Sequence, residues 1–330
     1  MSDKRLSSDT QHERLSGALK SGPEHWNIGG AIGGFPHVTS AKAALDELGV
    51  SGVTFTVFDQ HFGMKWAGGR PHAFVAGQTK ETFARLVEEY NRRGIRFNLV
   101  FSNLFVEEQH LGDKRCNWML ERCCRPGNGV IVGSHVLAQH IRRNFPDYRL
   151  VHSLTHFNKE PAYYYEHDEL YDVFVLPPHL NYRTQVLQEL LEKLGTERIE
   201  LLVNETCFRE CNIRQDHYDL ISKACLEDDW DLWEQLTTGF CQRAHAERFT
   251  RLDEPKDVKR IKNFTLSQDE VNNLKALGIQ NFKLANRQVP SQQYAKWMDY
   301  YIIDRLGLST TFYVYENYYK PASHFAGRSA

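Results

Sequence analysis

No apolar run in this chain approaches the ~20 residues that a membrane-spanning helix needs. The opening MSDKRLSSDTQHERLSGALKSG also lacks the apolar core of about 7–15 residues that marks an export signal. Both absences lead to the expectation of a cytoplasmic protein with no membrane contact and a flexible polar arm over residues 1–22. No charge of one sign dominates either, the formal balance being −2. That removes any general attraction to nucleic acid or anionic lipid, while a local basic patch keeps nucleic acid open as a partner. There is no HExxH helix, no nucleophile elbow and no GxGxxG order. Gly29, Gly30, Gly33 and Gly34 lack a following Lys-Ser pair, and they read as a flexible loop rather than a phosphate cradle. Long linkers, low-complexity tracts and repeats are missing too, so residues 23–330 read as one domain.

What is present is a rhythm. With 41% apolar and 25% charged residues the chain can build a sizeable core. Short β-branched or aromatic runs alternate with stretches of helical period, the pattern of parallel strands joined by crossover helices. Eight strands are predicted: Trp26 to Gly30, Val53 to Phe58, Phe97 to Ser102, Gly129 to Val132, Arg149 to Ser153, Val173 to Leu176, Ile199 to Val203, and Phe282 to Ala285. Phe83, Leu86, Val87 and Tyr90 share one helical face, and so do Val186, Leu187, Leu190, Leu191 and Leu194. Gly49, Gly94, Gly195 and Gly278 each stand shortly before a strand, where a helix end needs a left-handed residue. The fold class is therefore α/β, a (β/α)8 TIM barrel. It carries an insertion over residues 207–280, longer than an ordinary crossover, between the seventh and eighth strands.

Such barrels place their chemistry at the C-terminal strand ends. The residues there are polar: Asp59 and His61, Asn103, Ser134, Ser153 and His156, His179 and Asn181, Asn204 and Glu205, Asn286 and Arg287. His156, His179 and Glu205 are candidates for proton transfer. Asn103, Asn181, Asn204 and Arg287 are candidates for holding a small-molecule substrate, with Arg287 suited to a carboxylate or phosphate.

The seven cysteines are odd in number, and without an export signal they are expected as thiols or metal ligands. Cys116, Cys123 and Cys124 fall on a helix after the third strand, and Cys116 and Cys123 share a face suited to core packing. The insertion carries Cys207, Cys211, Cys225 and Cys241. Their spacing leaves three readings open. The four thiolates could bind a [4Fe–4S] cluster, or Cys207 and Cys211 could bind zinc with two of Cys225, Cys241 and His217. The third reading makes them small buried hydrophobes.

Three ordered segments, LPPHLNYR, LLVNETCFRECNIRQDHY and RIKNFTLSQDEVNNLKALGIQNFKLANR, resemble the collagenase-like peptidase family, the thirty-second of unassigned mechanism, and especially its short barrel-only members. The resemblance covers roughly residues 150–305. It implies a (β/α)8 barrel with a cysteine-bound [4Fe–4S] cluster and carries Cys207, Cys211, Cys225 and Cys241 over as ligands. It further implies an oxygen-independent, hydroxylation-like redox modification of a small polar or phosphate-bearing substrate rather than proteolysis, served by an electron-donor protein or partner subunit. The alternatives are a zinc-dependent hydrolase and a non-catalytic binding subunit with a structural cluster. Asn286-Arg287 stands where the family's last strand commonly ends in Gly-Arg, and the longer members' C-terminal region has no counterpart, so the resemblance does not carry the substrate over.

Overall fold

The computed structural model describes residues 23–47, 49–69, 78–209, 211–237, 263–285 and 291–304. Eight parallel strands close on themselves: β1 (Glu24–Gly29), β2 (Val53–Asp59), β3 (Arg96–Phe101), β4 (Gly129–Val132), β5 (Arg149–His152), β6 (Val173–Leu176), β7 (Ile199–Leu202) and β10 (Asn281–Leu284). β10 sits between β7 and β1, pairing Phe282 with Leu201 and with Trp26, which completes the barrel. Each of the eight expected strands is one of these.

The helices that follow the strands are α1 (Ala31–Glu47), α2 (Lys80–Arg92), α3 (Lys114–Cys123), α4 (His135–Asn144), α5 (Pro161–Glu166) and α6 (Thr184–Leu194). The insertion then supplies α7 (Arg214–Glu227) and α8 (Trp230–Thr237), and the last crossovers are α9 (Gln268–Ala276) and α10 (Ser291–Met298). The helical periods read from the sequence are the buried faces. Phe83, Val87 and Tyr90 of α2 and Leu187, Leu190, Leu191 and Leu194 of α6 all pack inward. Each such side chain contributes about 1.5–3 kcal/mol when fully buried. Cys116 and Cys123 of α3 are buried in the same layer, as expected of core thiols.

Strand alternation sorts two layers. Trp26, Ile28, Phe97, Leu99, Phe101, Val130, Leu150, Phe174, Leu201 and Phe282 face the helices. Phe58, Val100, Ile131, Val151, Val173 and Val175 face the barrel axis. At the helix ends, Gly94 and Gly278 have φ of +70° and +104°, the left-handed conformation expected of them.

The glycine-rich stretch differs from its reading as a loop: α1 begins at Ala31 and contains Gly33 and Gly34. A Cβ on Gly34 would lie 2.1 Å from the Tyr294 hydroxyl, so this glycine lets α1 close onto α10. The insertion is also shorter than expected, because α9 is an ordinary crossover helix. It leaves the barrel as β8 (Asn204–Phe208) and returns as β9 (Asn263–Thr265), and the two form an antiparallel pair. Its exits are tied together. The Leu266 N–H donates to Val203 O at 2.8 Å, and the Tyr301 hydroxyl lies 3.1 Å from Val203 O and 2.6 Å from Leu266 O.

Candidate functional site

At the C-terminal mouth of the barrel a cavity of about 50 Å³ is walled by Phe58, Val100, Ile131, Leu154, Leu202 and Ala285. Its polar lining is Ser102, Ser153, Thr155, Glu205 and Lys283, and Tyr218 of α7 covers it. The interior below is polar, which the sequence reading did not anticipate. Lys283 on β10 contacts Glu200 on β7 at 3.0 Å, and Asn27 on β1 donates its amide to both Glu200 oxygens at 3.0 and 3.1 Å. All three side chains are buried, and the Lys283 ammonium also lies 4.2 Å from the Phe58 ring centroid. Burying this pair in an apolar barrel is tolerable because opposite charges and a neutral amide satisfy one another.

Glu205 is the one predicted proton-transfer residue that lines this cavity. Its carboxylate accepts the Cys207 N–H at 3.0 Å and faces the Arg214 guanidinium at 3.9 Å, with both side chains buried. Arg214 opens α7 and lies between the Phe157 and Phe264 rings, 5.0 Å from each centroid. Phe157 adopts φ +50°, a left-handed conformation uncommon for a bulky residue and held here by the packed loop.

The other predicted residues engage the scaffold. Asn103, fully buried, donates its amide to Lys65 O at 3.0 Å, Ala67 O at 3.0 Å and Ser222 O at 2.7 Å, which fastens α7 over the mouth. Asn181 donates to Leu202 O at 2.9 Å, and Asn204 accepts the Ala285 N–H at 2.7 Å; both stabilise strand ends. His179 donates to Arg209 O at 3.1 Å and packs edge-on against Phe157 and Phe264; burial lowers its pKa. His156 bonds Gly133 O and belongs to a stack outside the barrel wall, with His152, His135 and His167. Arg287 and Cys241 lie outside the described residues.

The mouth loops pack closely. A Cβ on Gly133 would fall 2.5 Å from Ser102 O and 2.6 Å from Asn103 O, both backbone atoms that cannot swing aside. Gly133→Ala is therefore expected to destabilise the protein by about 1–3 kcal/mol, the cost of overpacking. Urea unfolding measures it, and a midpoint equal to that of the native protein would refute the contact.

Cys207 on β8 and Cys211 before α7 are half-buried thiols in no disulfide. Cys225 is buried between α7 and α8 beside Ile221, Ala224 and Leu236, and burial pushes its thiol up to about 12. Among the described residues, no three His, Cys, Asp or Glu side chains stand close enough to share a metal ion.

The fold and site define a (β/α)8 barrel with a covered cavity at its C-terminal mouth. No family model and no curated protein matches the chain. Among solved structures it is similar to the U32 peptidase Mk0906, at 15% identity over 81% of this chain and 94% of that one, with a TM-score of 0.49. No helix among the described residues is long and apolar enough to cross a membrane.

Proposed function

We propose that this protein is an enzyme that binds a small polar molecule at the barrel mouth and modifies it by oxygen-independent redox chemistry. In this reading Cys207, Cys211, Cys225 and Cys241 hold a [4Fe–4S] cluster beside the mouth. The observation that carries the reading is adjacency: β8 runs from the cavity to the thiols, and Glu205 on the cavity wall accepts the Cys207 N–H. Cys207 and Cys211 suit iron by softness of donor, and both lie on the segment that leaves the cavity wall at Glu205. Cys225 in its apolar surroundings does not suit a thiolate, although a coordinated metal pulls its ligands toward the ionised form.

A cluster of this kind supplies electrons or, with an open iron, a Lewis acid. The chain supplies the rest. Glu205 can move a proton at the mouth, Arg214 faces its carboxylate and orients it, and α7 contributes Tyr218 to the cavity wall.

Anaerobic purification followed by iron and sulfide analysis tests the reading. Native protein is expected to carry about four irons per chain, and the Cys207→Ser/Cys211→Ser variant almost none. Cys225→Ser then shows whether the thiol on α7 belongs to the set. Colourless native protein, or full iron content in the double variant, would end the cluster reading.

A further inference from the structure

Lys283 and Ser153 face the same cavity from opposite sides of the barrel, one from β10 and one just beyond β5. Both are buried. Ser153 Oγ accepts the Thr155 N–H at 3.3 Å and lies 2.9 Å from the Thr155 hydroxyl, which also reaches Ser102 O at 3.2 Å; this fixes the Ser153 oxygen at the cavity wall, and its proton can rotate to meet an acceptor there. The Lys283 ammonium is held from below by Glu200. Two hydrogen-bond donors therefore line one space, whose other walls include the apolar Phe58, Val100, Ile131, Leu154, Leu202 and Ala285 and the polar Ser102, Thr155 and Glu205.

Size and charge narrow what can enter. About 50 Å³ admits one small functional group at the end of a molecule, not a whole metabolite. The Lys283 charge is cancelled by Glu200 beneath it, and the Glu205 charge by Arg214 at the rim. A carboxylate or phosphate would be stripped of water beside an ammonium already paired with Glu200 and would face the Glu205 carboxylate across the cavity. An uncharged acceptor oxygen meets two donors, the rest of its molecule meets the apolar side chains of the wall, and any negative charge that develops on the oxygen during reaction is stabilised by the ammonium.

We infer that the cavity floor is a carbonyl subsite: Lys283 and Ser153 donate to the carbonyl oxygen of a small, uncharged, largely apolar substrate whose remainder extends through the mouth. This rests on the barrel mouth being the substrate site, and it names the substrate class. Lys283 is then a catalytic residue as well as an anchor, because polarising the carbonyl makes the carbonyl carbon electrophilic and the hydrogens on the carbon next to it acidic, in a cavity that Glu205 also lines.

Butanone and propionate, nearly equal in shape but different in charge, are suitable probes. Ligand-observed NMR titration of the anaerobically purified full chain is expected to show butanone bound and propionate bound more weakly. The carbonyl stretch of ¹³C-labelled butanone should move to lower frequency on binding. Ser153→Ala is expected to weaken butanone binding about tenfold, the scale of one lost hydrogen bond to a buried acceptor. Lys283→Met/Glu200→Gln removes the second donor without stranding a buried charge, and it should cost at least as much and abolish the infrared shift. Ile131→Phe fills the cavity without removing a polar group, and it should block binding outright. Preference for propionate, or butanone binding unchanged in the folded variants, would overturn the subsite. So would an absence of binding to folded native protein. Iron content is expected to stay at the native level in all three variants, so failure here and failure of the cluster reading are separate results.

Discussion

Lys275→Met is expected to lower the free energy of unfolding by about 3–5 kcal/mol, while Lys275→Met/Glu24→Gln recovers most of that loss. Lys275 on α9 pairs with Glu24 at the start of β1, and both side chains are buried, at 5% and 2% exposure. Burial pulls the lysine down to about 8, a sign that the ammonium is costly to hold there without its partner. Removing Lys275 alone takes the ammonium away from a buried carboxylate that also accepts the Trp26 indole N–H at 3.1 Å. Glutamine keeps an acceptor for Trp26 and removes the charge. Urea denaturation of both variants checks the expectation. If the double variant is no more stable than the single one, the cost arises from packing and not from the stranded charge.

Acid should weaken this fold between pH 6.5 and about 4, and the stacked histidines beside β5 should account for much of that loss. His135 lies 4.0 Å from His167 and 4.9 Å from His156 between ring centroids, and His156 lies 4.8 Å from His152. The Tyr163 hydroxyl bridges His152 and His135 at 3.0 and 3.2 Å, and Tyr171 bonds His135 at 2.9 Å. Burial, aided by repulsion from His156 and His167, lowers His135 to about 4. His152 is driven further down by burial, and His156 and His167 are also lowered by burial, Glu166 opposing this for His167. A histidine whose folded pKa lies below its unfolded value binds its proton more readily in the unfolded chain. Stability is therefore fully present above about pH 6.5 and is lost as the pH falls toward the folded pKa.

For His135 the span from 6.5 to about 4 corresponds to about 2–3 kcal/mol after allowance for partial exposure. His37, also lowered to about 4 by burial, adds to the slope with the same sign. His135→Gln/His156→Gln keeps polar groups in the stack but cannot take up protons. Unfolding free energy measured from pH 7 to 4.5 should fall less steeply in this variant. Parallel curves for variant and native protein would place the acid sensitivity elsewhere.

The barrel was legible because strand and helix periods are written in apolar residues, and parallel strands buried on both faces read as short continuous runs. The VFVL of β6 and the FNLVF of β3 are such runs. The interior polar layer was not legible, although its signal was present. Glu200 in IELL and Lys283 in NFKL are single charged residues inside apolar strands. Alternation alone would put them on a solvent face, whereas closure of the sheet turns that face toward the axis.

At the mouth, a polar residue after a strand marked the correct end of the barrel without revealing its partner. Asn103 and Asn181 satisfy backbone carbonyls, and Glu205 enters the cavity. Hydrogen-bonding capacity was predictable from residue type, but the choice between carbonyl and ligand depends on loops distant in sequence. Thr155, two residues from the predicted Ser153, was missed because a threonine in a short 3₁₀ turn carries no distinguishing pattern.

The tie between Val203, Leu266 and Tyr301 makes the insertion resemble a cassette. Its two ends meet within hydrogen-bonding distance, so the barrel closes through the same contacts whatever length of chain lies between them. Loops whose ends are already together tolerate changes of length at little cost, since each doubling adds only about 0.6 kcal/mol of closure entropy. The thiols and the cover over the mouth can therefore be lengthened, exchanged or lost without refolding the strands that hold Lys283 and Ser153. The two halves of the site, one carried by the barrel and one by the cassette, then meet mainly at the mouth, where Asn103 holds Ser222 O of α7.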